Sequence, residues 1–343
     1  MDVVLHYADE FALDHVYNYL LPPPPIPTTE KLALLNTTSS PSSPYTAFST
    51  PPLTGSLLPR DSLLRQYISL LSISVLGAYA LYFTFCSLSY FFVYDRRLEH
   101  HPKFLKNQIR KEIKSSLVAA PYIGIITVPW FMGEIHGYSK MYENVGEYGW
   151  TYLVGSMVWF LLFTDFCIYW VHRLEHHPRI YKYIHKPHHK WVVPTPYAAL
   201  AFHPLDGYAQ SLPYHIFPYL FPLHRYAYLG LFVFVQFWTI LIHDGDMISG
   251  HVLERWINGP AHHTLHHLYF SVNYGQYFTW ADVQFDSFRE PRPELDPIHE
   301  SLRMMRKKGL IDENDKPIPQ PQPQSQPRAQ AQSRSQNKNK KNE

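Results

Sequence analysis

The sequence predicts an all-α, polytopic membrane protein with about four transmembrane helices, arranged as two hairpins, and a histidine-rich helical cap that holds a dinuclear metal site. Two observations lead to this fold class. Several long apolar stretches lie along the 343-residue chain, and 15 of its 21 histidines lie between residues 172 and 267. A third observation limits the alternatives, because two cysteines exclude a disulfide framework or a cysteine-based zinc site, and a net charge of +2 gives no overall field that attracts nucleic acid.

The first 66 residues contain little that can fold alone. A proline-rich run occupies residues 21–27, and a Ser/Thr/Pro-rich stretch occupies residues 36–59. Such composition buries too little apolar surface to offset the entropy of ordering the chain. We therefore predict that residues 1–66 are mostly a flexible arm.

The membrane-embedded domain is predicted over residues 67–297. Residues 67–94 carry no charge over 28 positions, which is long enough to cross a bilayer. Three more apolar stretches follow at residues 117–133, 148–171 and 226–242, of which the second is interrupted only by Asp165. The proline-broken, aromatic residues 207–223 could form a further, irregular span.

The orientation of the spans follows from lysine and arginine in the short loops. Residues 95–116 hold seven of them, whereas residues 134–147 hold only Lys140. By the positive-inside rule the first loop is cytosolic and the second lumenal, which places the arm, with its glycosylation sequon at Asn36, in the lumen. The histidines lie on one side only if residues 207–242 dip into the membrane and return; alternatively, residues 207–223 lie flat at the interface.

The C-terminal residues 298–343 are predicted to be a disordered cytosolic tail. Beyond residue 312 the composition shifts to Pro, Gln, Ser and Lys. The chain ends with Lys340 and Lys341 near its terminus, which resembles the dilysine retrieval signal of endoplasmic-reticulum membrane proteins. A lysine-rich solvated tail also produces such an ending by chance.

Three histidine clusters, HRLEHH (172–177), HKPHH (185–189) and HHTLHH (262–267), flank the membrane spans. Residues three and four apart share a helix face, so the three histidines of each HxxHH pattern can converge on one point, and His172 can pair with His176. One closed tetrahedral site uses only four ligands, so this number of imidazoles predicts two metal ions. Imidazole suits zinc, copper, iron and nickel alike, and the ligand type alone leaves the metal open.

The three clusters resemble the histidine boxes of the fatty acid hydroxylase/sterol desaturase superfamily. The segments HPKFLKNQIRKEI (101–113), TPYAALAFHPLDGYAQ (195–210), IHDGD (242–246) and GPAHHTLHHLYFSVNYGQYFTWAD (259–282) narrow the resemblance to the fungal sterol C5-desaturases, of the lathosterol oxidase type. The similarity covers residues 67–297 and leaves both tails outside it.

This resemblance implies that ten histidines bind two iron ions. They are His172, His176, His177, His185, His188, His189, His243, His263, His266 and His267. Some relatives have a further histidine where this chain has Met247, so His251 or a water could fill that position. His203 is either a ligand or a support for one, and His262 is a bystander.

Acidic side chains should orient the rings and offset the charge of an all-imidazole site. Asp165 is the strongest candidate, because it is ionisable, interrupts a span and lies seven residues before His172 on the same helical face. The weaker candidates, for which loop capping is an equal alternative, are Asp206, Asp244, Asp246 and Asp282.

The resemblance also implies the reaction and its partners. It implies an O2-dependent di-iron enzyme of the endoplasmic-reticulum membrane that forms a C5–C6 double bond in a Δ7-sterol, in ergosterol biosynthesis. The sequence has neither a GxGxxG fingerprint nor a cytochrome b5 motif, so the electrons are expected from NAD(P)H through a separate reductase and cytochrome b5. The basic loops 96–114 and 179–190 could receive cytochrome b5, or could simply determine the topology.

Other functions are compatible with the same pattern. A sterol C4-methyl oxidase or a lipid hydroxylase would use the same scaffold and add oxygen instead of removing hydrogen. A histidine-rich metal transporter belongs to another class and predicts ligands distributed along several spans. A zinc protease is disfavoured because the sequence contains no HExxH motif.

Overall fold

The computed structural model describes residues 1–22 and 55–319, and in these residues the predicted all-α fold class is confirmed. The helices are α1 (Asp2–Ala8), α2 (Asp14–Leu20), α3 (Leu63–Phe92), α4 (Gln108–Ile135), α5 (Gly149–Glu175), α6 (Pro178–Tyr181), α7 (Pro204–Leu220), α8 (Arg225–Ile242), α9 (Pro260–Tyr269), α10 (Trp280–Gln284) and α11 (Ile298–Lys307). A π-helical turn, Asp9–Leu13, joins α1 to α2. Short 3-10 helices include Arg96–His100 and Pro196–Leu200. The sequon at Asn36 and the dilysine lie outside the described residues.

Four helices, α3, α4, α5 and α8, are long and apolar enough to cross a membrane, which confirms the predicted number of spans and a multi-pass membrane protein. The helix α4 begins nine residues earlier than its apolar stretch. It extends through the basic segment that contains Arg110, Lys111 and Lys114, because lysine and arginine are good helix formers and do not stop a helix.

The proline-broken stretch forms a regular helix, α7, which begins at Pro204 and continues through Pro213 and Pro218. Its 17 residues extend about 26 Å, close to the thickness of a bilayer core. The helix packs against α4 and α5. Whether this helix enters the membrane or lies at the interface stays a prediction with two alternatives.

The turn between α7 and α8 marks the end of the molecule opposite the histidines. There β2 (Leu223–His224) pairs in parallel with β1 (Met141–Tyr142), which lies in the loop between α4 and α5. Lys140 Nζ donates a hydrogen bond to the Leu220 carbonyl at 3.0 Å. The helices α7 and α8 thus form the hairpin that the sequence requires, and it brings His243 back to the end where α5 finishes.

Residues 2–20 are helical and packed, so the prediction of a flexible arm over residues 1–66 fails at its start. Leu5 is completely buried, in a cluster with Leu70 and Val128. Arg65, at the beginning of α3, forms an ion pair with Asp9 at 2.7 Å. Apolar burial and a buried ion pair therefore fix this segment to α3 and α4, although its composition gave little sign of it.

The tail is also ordered at its beginning. The helix α11 packs against the 3-10 helix Arg96–His100, and His101 Nε2 lies 3.0 Å from Glu300 Oε2. Residues 298–307 are thus part of the folded body, which corrects the predicted start of the disordered tail. The remaining prediction concerns residues that lie largely outside the described part of the chain.

Candidate metal centre

Nine histidines converge in two adjacent groups, in each of which the ligand nitrogens lie within 4.8 Å of one another. The five-histidine group consists of His172, His176, His185, His189 and His266. The four-histidine group consists of His188, His243, His263 and His267. All are buried except His176, which is half-buried.

Each HxxHH pattern is divided between the two groups. His185 and His189 enter the five-histidine group, whereas His188 enters the other. In α9 the division is reversed, because His263 and His267 enter the four-histidine group and His266 the five-histidine group. Residues i and i+4 differ by about 40° around a helix, while i and i+3 differ by about 60° in the opposite sense. The prediction that each triplet converges on one point is therefore wrong: each triplet joins the two groups.

The ring nitrogens of each group point at one another. In the five-histidine group, Nε2 atoms are separated by 3.1 Å, 3.0 Å and 3.1 Å in the pairs His172–His185, His189–His176 and His266–His189. In the four-histidine group, the separations are 3.0 Å, 3.1 Å and 3.3 Å in the pairs His263–His243, His267–His263 and His243–His188.

The Nδ1 atoms, on the other side of each ring, have hydrogen-bond partners of their own. His172 Nδ1 donates to the Tyr274 carbonyl at 3.0 Å, and His185 Nδ1 donates to Asp206 Oδ2 at 2.8 Å. In both rings Nδ1 is engaged outward, so the two Nε2 atoms, 3.1 Å apart, face each other as a pair of candidate ligand atoms. This donor set fits a metal ion.

The same anchoring occurs in both groups. His243 Nδ1 donates to the Thr239 carbonyl at 2.6 Å, and His266 Nδ1 donates to the Val272 carbonyl at 2.6 Å. Hydrogen bonds of this kind fix the tautomer and the orientation of a metal-binding imidazole. The backbone on which the rings rest thereby directs the Nε2 lone pairs inward.

Burial keeps the four imidazoles of the four-histidine group neutral, because it lowers the pKa of each ring. It lowers the pKa of His263 and His267 well below the usual value of 6.5, and the nearby histidine rings lower each pKa further. Burial also lowers the pKa of His243, to about 4. Neutral imidazole is the form that binds a metal, so at neutral pH the ligands need not lose protons first.

Asp206 is the carboxylate that contacts a ring. It is fully buried at the first turn of α7, where it accepts a hydrogen bond from His185 Nδ1, and Gln210 Nε2 donates to its other oxygen at 2.6 Å. Glu175 lies 3.8 Å from the same His185 nitrogen. From its sequence position Asp206 was only a weak candidate for this role. The feature of the sequence that could have identified Asp206 is its position in the first turn of a helix that begins at Pro204.

Asp165, the strongest candidate by sequence, contacts no histidine ring in its hydrogen bonds. Its Oδ1 accepts the backbone N–H groups of Gln276, Tyr277 and Phe278 at 3.0, 2.7 and 3.2 Å. Asp282 holds the same loop through the N–H groups of Tyr274 and Gly275, both at 2.8 Å. These two acids act on the site through the loop whose Tyr274 carbonyl anchors His172. Asp244 and Asp246 form a local turn.

Several predicted or possible ligands lie outside both groups. His177 is exposed and caps α6 by accepting the Arg179 N–H at 3.4 Å, and His203 caps α7 through the Leu205 N–H at 3.2 Å. His251 is exposed. Met247 packs in an apolar cluster with Ala261 and Leu265, so a histidine in its place would be required to leave that cluster to act as a ligand. His262 is buried against Phe288 and faces away from the groups.

Helices able to span a membrane, with two groups of imidazoles at one end, define the class of multi-pass membrane proteins with a histidine-rich candidate metal centre. The model of the fatty acid hydroxylase family matches residues 157–287, which include all nine grouped histidines. The chain is 56% identical over 320 residues to a Delta(7)-sterol 5(6)-desaturase of Gibberella zeae, covering 93% of this chain and 98% of the relative.

Two further relatives agree with this match. A Delta(7)-sterol 5(6)-desaturase of Aspergillus fumigatus is 52% identical over 338 residues, covering 93% of this chain and 98% of the relative. The lathosterol oxidase of Mus musculus is 54% identical over 246 residues, covering 71% of this chain and 82% of the relative. No solved structure matches the chain significantly. The chain belongs to the Δ7-sterol 5(6)-desaturase family of membrane oxidoreductases.

Proposed function

We propose that this protein is a sterol C5-desaturase, which introduces a C5–C6 double bond into a Δ7-sterol in ergosterol biosynthesis. The observation that carries the proposal is the pair of all-imidazole groups, in each of which the ring nitrogens converge closely enough to bind one metal ion. The names of relatives that cover nearly the whole chain support the reaction and the substrate class.

We propose that each histidine group holds one iron ion. Two iron ions together with O2 would supply the oxidising power that an unactivated C–H bond requires and that no side chain has. The balance of the reaction is one O2 reduced to two waters by four electrons. Two hydrogen atoms, equivalent to two electrons and two protons, leave the sterol at C5 and C6, and two further electrons and two protons come from outside.

The protein's own groups prepare the site for this reaction. Asp206 orients His185 and offsets part of the charge of the cations. The carbonyls of Tyr274, Thr239 and Val272 keep the ligand nitrogens deprotonated and aimed inward. The burial of the rings limits the access of water, which protects the substrate position from competing reactions.

We further propose that NAD(P)H supplies the external electrons through a reductase and cytochrome b5 at the endoplasmic-reticulum membrane, with the histidine groups cytosolic. The basic segments 96–114 and 179–190 adjoin the histidine end of the bundle, and their lysines and arginines are exposed. This arrangement supports both a cytosolic orientation and the docking of an acidic carrier.

Sterol profiling of cells that lack the protein tests the proposal. Complementation with the wild type should restore sterols unsaturated at both C5 and C7, and complementation with His188→Ala should not. Mass spectrometry distinguishes the alternatives, because a desaturase removes two hydrogens, whereas a hydroxylase or C4-methyl oxidase adds oxygen. Normal C5-unsaturated sterols without the protein would refute the assignment, as would metal flux in vesicles without O2 consumption.

A further inference from the structure

We propose that Gln276 and Gln210, together with Thr239, bind the 3-hydroxyl group of the sterol at the inner end of a tunnel that opens to the membrane. The sterol would then lie with ring A against the four-histidine group and its aliphatic tail toward the bilayer. This inference rests on the proposed function and specifies how the substrate is recognised.

The outer part of the tunnel is a largely apolar cavity between α3, α4, α7 and α8. Its volume is about 260 Å³ and its lining is mostly apolar, as in sites that bind apolar ligands. Gly77 and Leu229, two of its lining residues, are exposed on the outer surface of α3 and α8. Gly77 lies at the middle of the 30-residue α3, so the mouth lies at mid-membrane depth.

Two smaller cavities continue from this one to the histidines. The middle cavity, of about 90 Å³, shares Leu200 and Ser211 with the outer cavity, and Phe202 lines all three. The inner cavity, of about 40 Å³, has room for a small polar group and shares three polar residues with the middle one: Gln210, Thr239 and Gln276. Its other walls include His172, His188, His243 and His263. Together the three cavities form a path from lipid to the metal centre.

The chemistry of the reaction determines which end of the sterol enters first. C5 is only two bonds from C3, which carries the hydroxyl group, whereas the aliphatic tail is attached at the far end of the ring system. A C5–H bond can approach the histidine groups only if the hydroxyl group is also close to them. Burying a hydroxyl group without a partner costs roughly 2 kcal/mol or more, so the inner cavity must provide one.

The three polar residues are already oriented by the protein. Gln276 Nε2 donates to Thr239 Oγ1 at 3.0 Å, and Gln210 Nε2 donates to Asp206 Oδ1 at 2.6 Å. Because both amide nitrogens are used in this way, the amide oxygens are the atoms directed to accept a hydrogen bond. A sterol hydroxyl group, which can donate, complements them.

Gly207 provides the room that this path requires. A Cβ atom at this position would collide with the Phe202 ring, so the absence of a side chain lets Phe202 lie against α7. Phe202 in turn forms part of the wall where the outer and inner cavities meet. A side chain at position 207 would push the ring into the tunnel.

The test compares a Δ7-sterol with its 3-deoxy analogue, using full-length protein reconstituted with iron, cytochrome b5 and its reductase. We expect the wild type to prefer the 3-hydroxy sterol in kcat/KM by at least about a hundredfold, since a site that hydrogen-bonds a hydroxyl group rejects an analogue without it. Gln276→Leu should lower kcat/KM for the hydroxy sterol about tenfold or more and leave the deoxy sterol unchanged.

The matched control is Gln236→Leu, the same substitution farther out, where Gln236 lines the outer and middle cavities but not the inner one. It should not change the ratio of the two substrates. Equal use of both sterols by the wild type would overturn the inference. An equal loss for both sterols in Gln276→Leu, at unchanged iron content, would overturn the assignment of Gln276.

Binding separates this inference from the proposed function. Displacement of a radiolabelled Δ7-sterol from the purified protein by each sterol requires no turnover. In one outcome the wild type binds the 3-hydroxy sterol more tightly, this preference is lost in Gln276→Leu, and yet no C5–C6 double bond forms. That result would support the hydroxyl site and refute the desaturase assignment. Displacement that is equal for both sterols in the wild type would refute the hydroxyl site by itself.

Discussion

The two histidine groups are unequal, although both are built from buried imidazoles. The five-histidine group has one more ligand and a carboxylate, Asp206, on one of its rings. The four-histidine group has no carboxylate hydrogen-bonded to a ring among the described residues, and the Thr239 carbonyl anchors its His243 ring. Three of its four rings, those of His188, His243 and His263, line the inner cavity, against only His172 of the other group.

This difference predicts different roles for the ions in the two histidine groups. A metal centre that holds its ion permanently fills its coordination positions with protein ligands, whereas a reactive centre leaves a position open. The four-histidine group has fewer ligands and faces the cavity. We therefore expect its ion to lie nearer the reacting carbon, and the five-histidine group to hold its ion more tightly.

The largest expected effect comes from adjacent residues that serve different groups. His188→Ala leaves three ligands in its group, and His189→Ala leaves four in the other. We expect His188→Ala to abolish turnover, by more than about a hundredfold, with the loss of one iron per protein, and His189→Ala to retain more iron. Iron analysis and sterol turnover of the two purified variants measure this. If both variants lose the same iron and activity, the two groups are equivalent.

A smaller effect is expected when the carboxylate is removed from the five-histidine group. In Asp206→Asn the group facing His185 Nδ1 loses its charge, so the ring is a weaker ligand. We expect iron affinity to fall by about 10-fold to 100-fold at one of the two sites. Competition with a chelator gives the two affinities separately. A loss confined to the other site would contradict the assignment of Asp206.

Asp165 provides a contrast, because it supports a loop and not a ring. In Asp165→Asn the three backbone hydrogen bonds to Oδ1 can remain but lose their charged acceptor. We expect a loss of about 1 to 3 kcal/mol in stability, seen as a lower thermal midpoint, with iron affinity less changed than in Asp206→Asn. The opposite ranking of the two variants in iron affinity would restore Asp165 as the main partner of the rings.

The smallest effect is expected from mild acidification. Burial lowers the pKa of His243 to about 4, so this ring stays neutral in the folded protein until the pH approaches that value. In the unfolded chain the same ring takes up a proton below about pH 6.5. Stability is therefore constant above this pH and falls as the pH decreases through it. Iron should leave the four-histidine group first, because fewer ligands compete with protons. Iron release measured from pH 7.5 to about 5 tests the order.

The sequence predicted the spans, the histidine clusters and their common end, because these depend on local hydropathy, charge and helical spacing. It did not predict how each cluster divides, since that depends on where His243 and the third cluster arrive in space. Asp165 was preferred to Asp206 for the same reason: helical spacing places Asp165 below His172, but the loop at residues 276–278 occupies its carboxylate. The sequence also did not show that residues 2–20 are folded, because this depends on contacts with residues more than 40 positions away.

The hairpin of α7 and α8 also has a consequence for biosynthesis. It lies between the second and third histidine clusters in the chain, so neither group is complete until both of its helices have been made and packed into the bundle. Until then the newly made protein holds imidazoles without their partners and cannot retain two ions. Metal capture is thus a late event after translation of α9, and it reports that the whole bundle has been assembled.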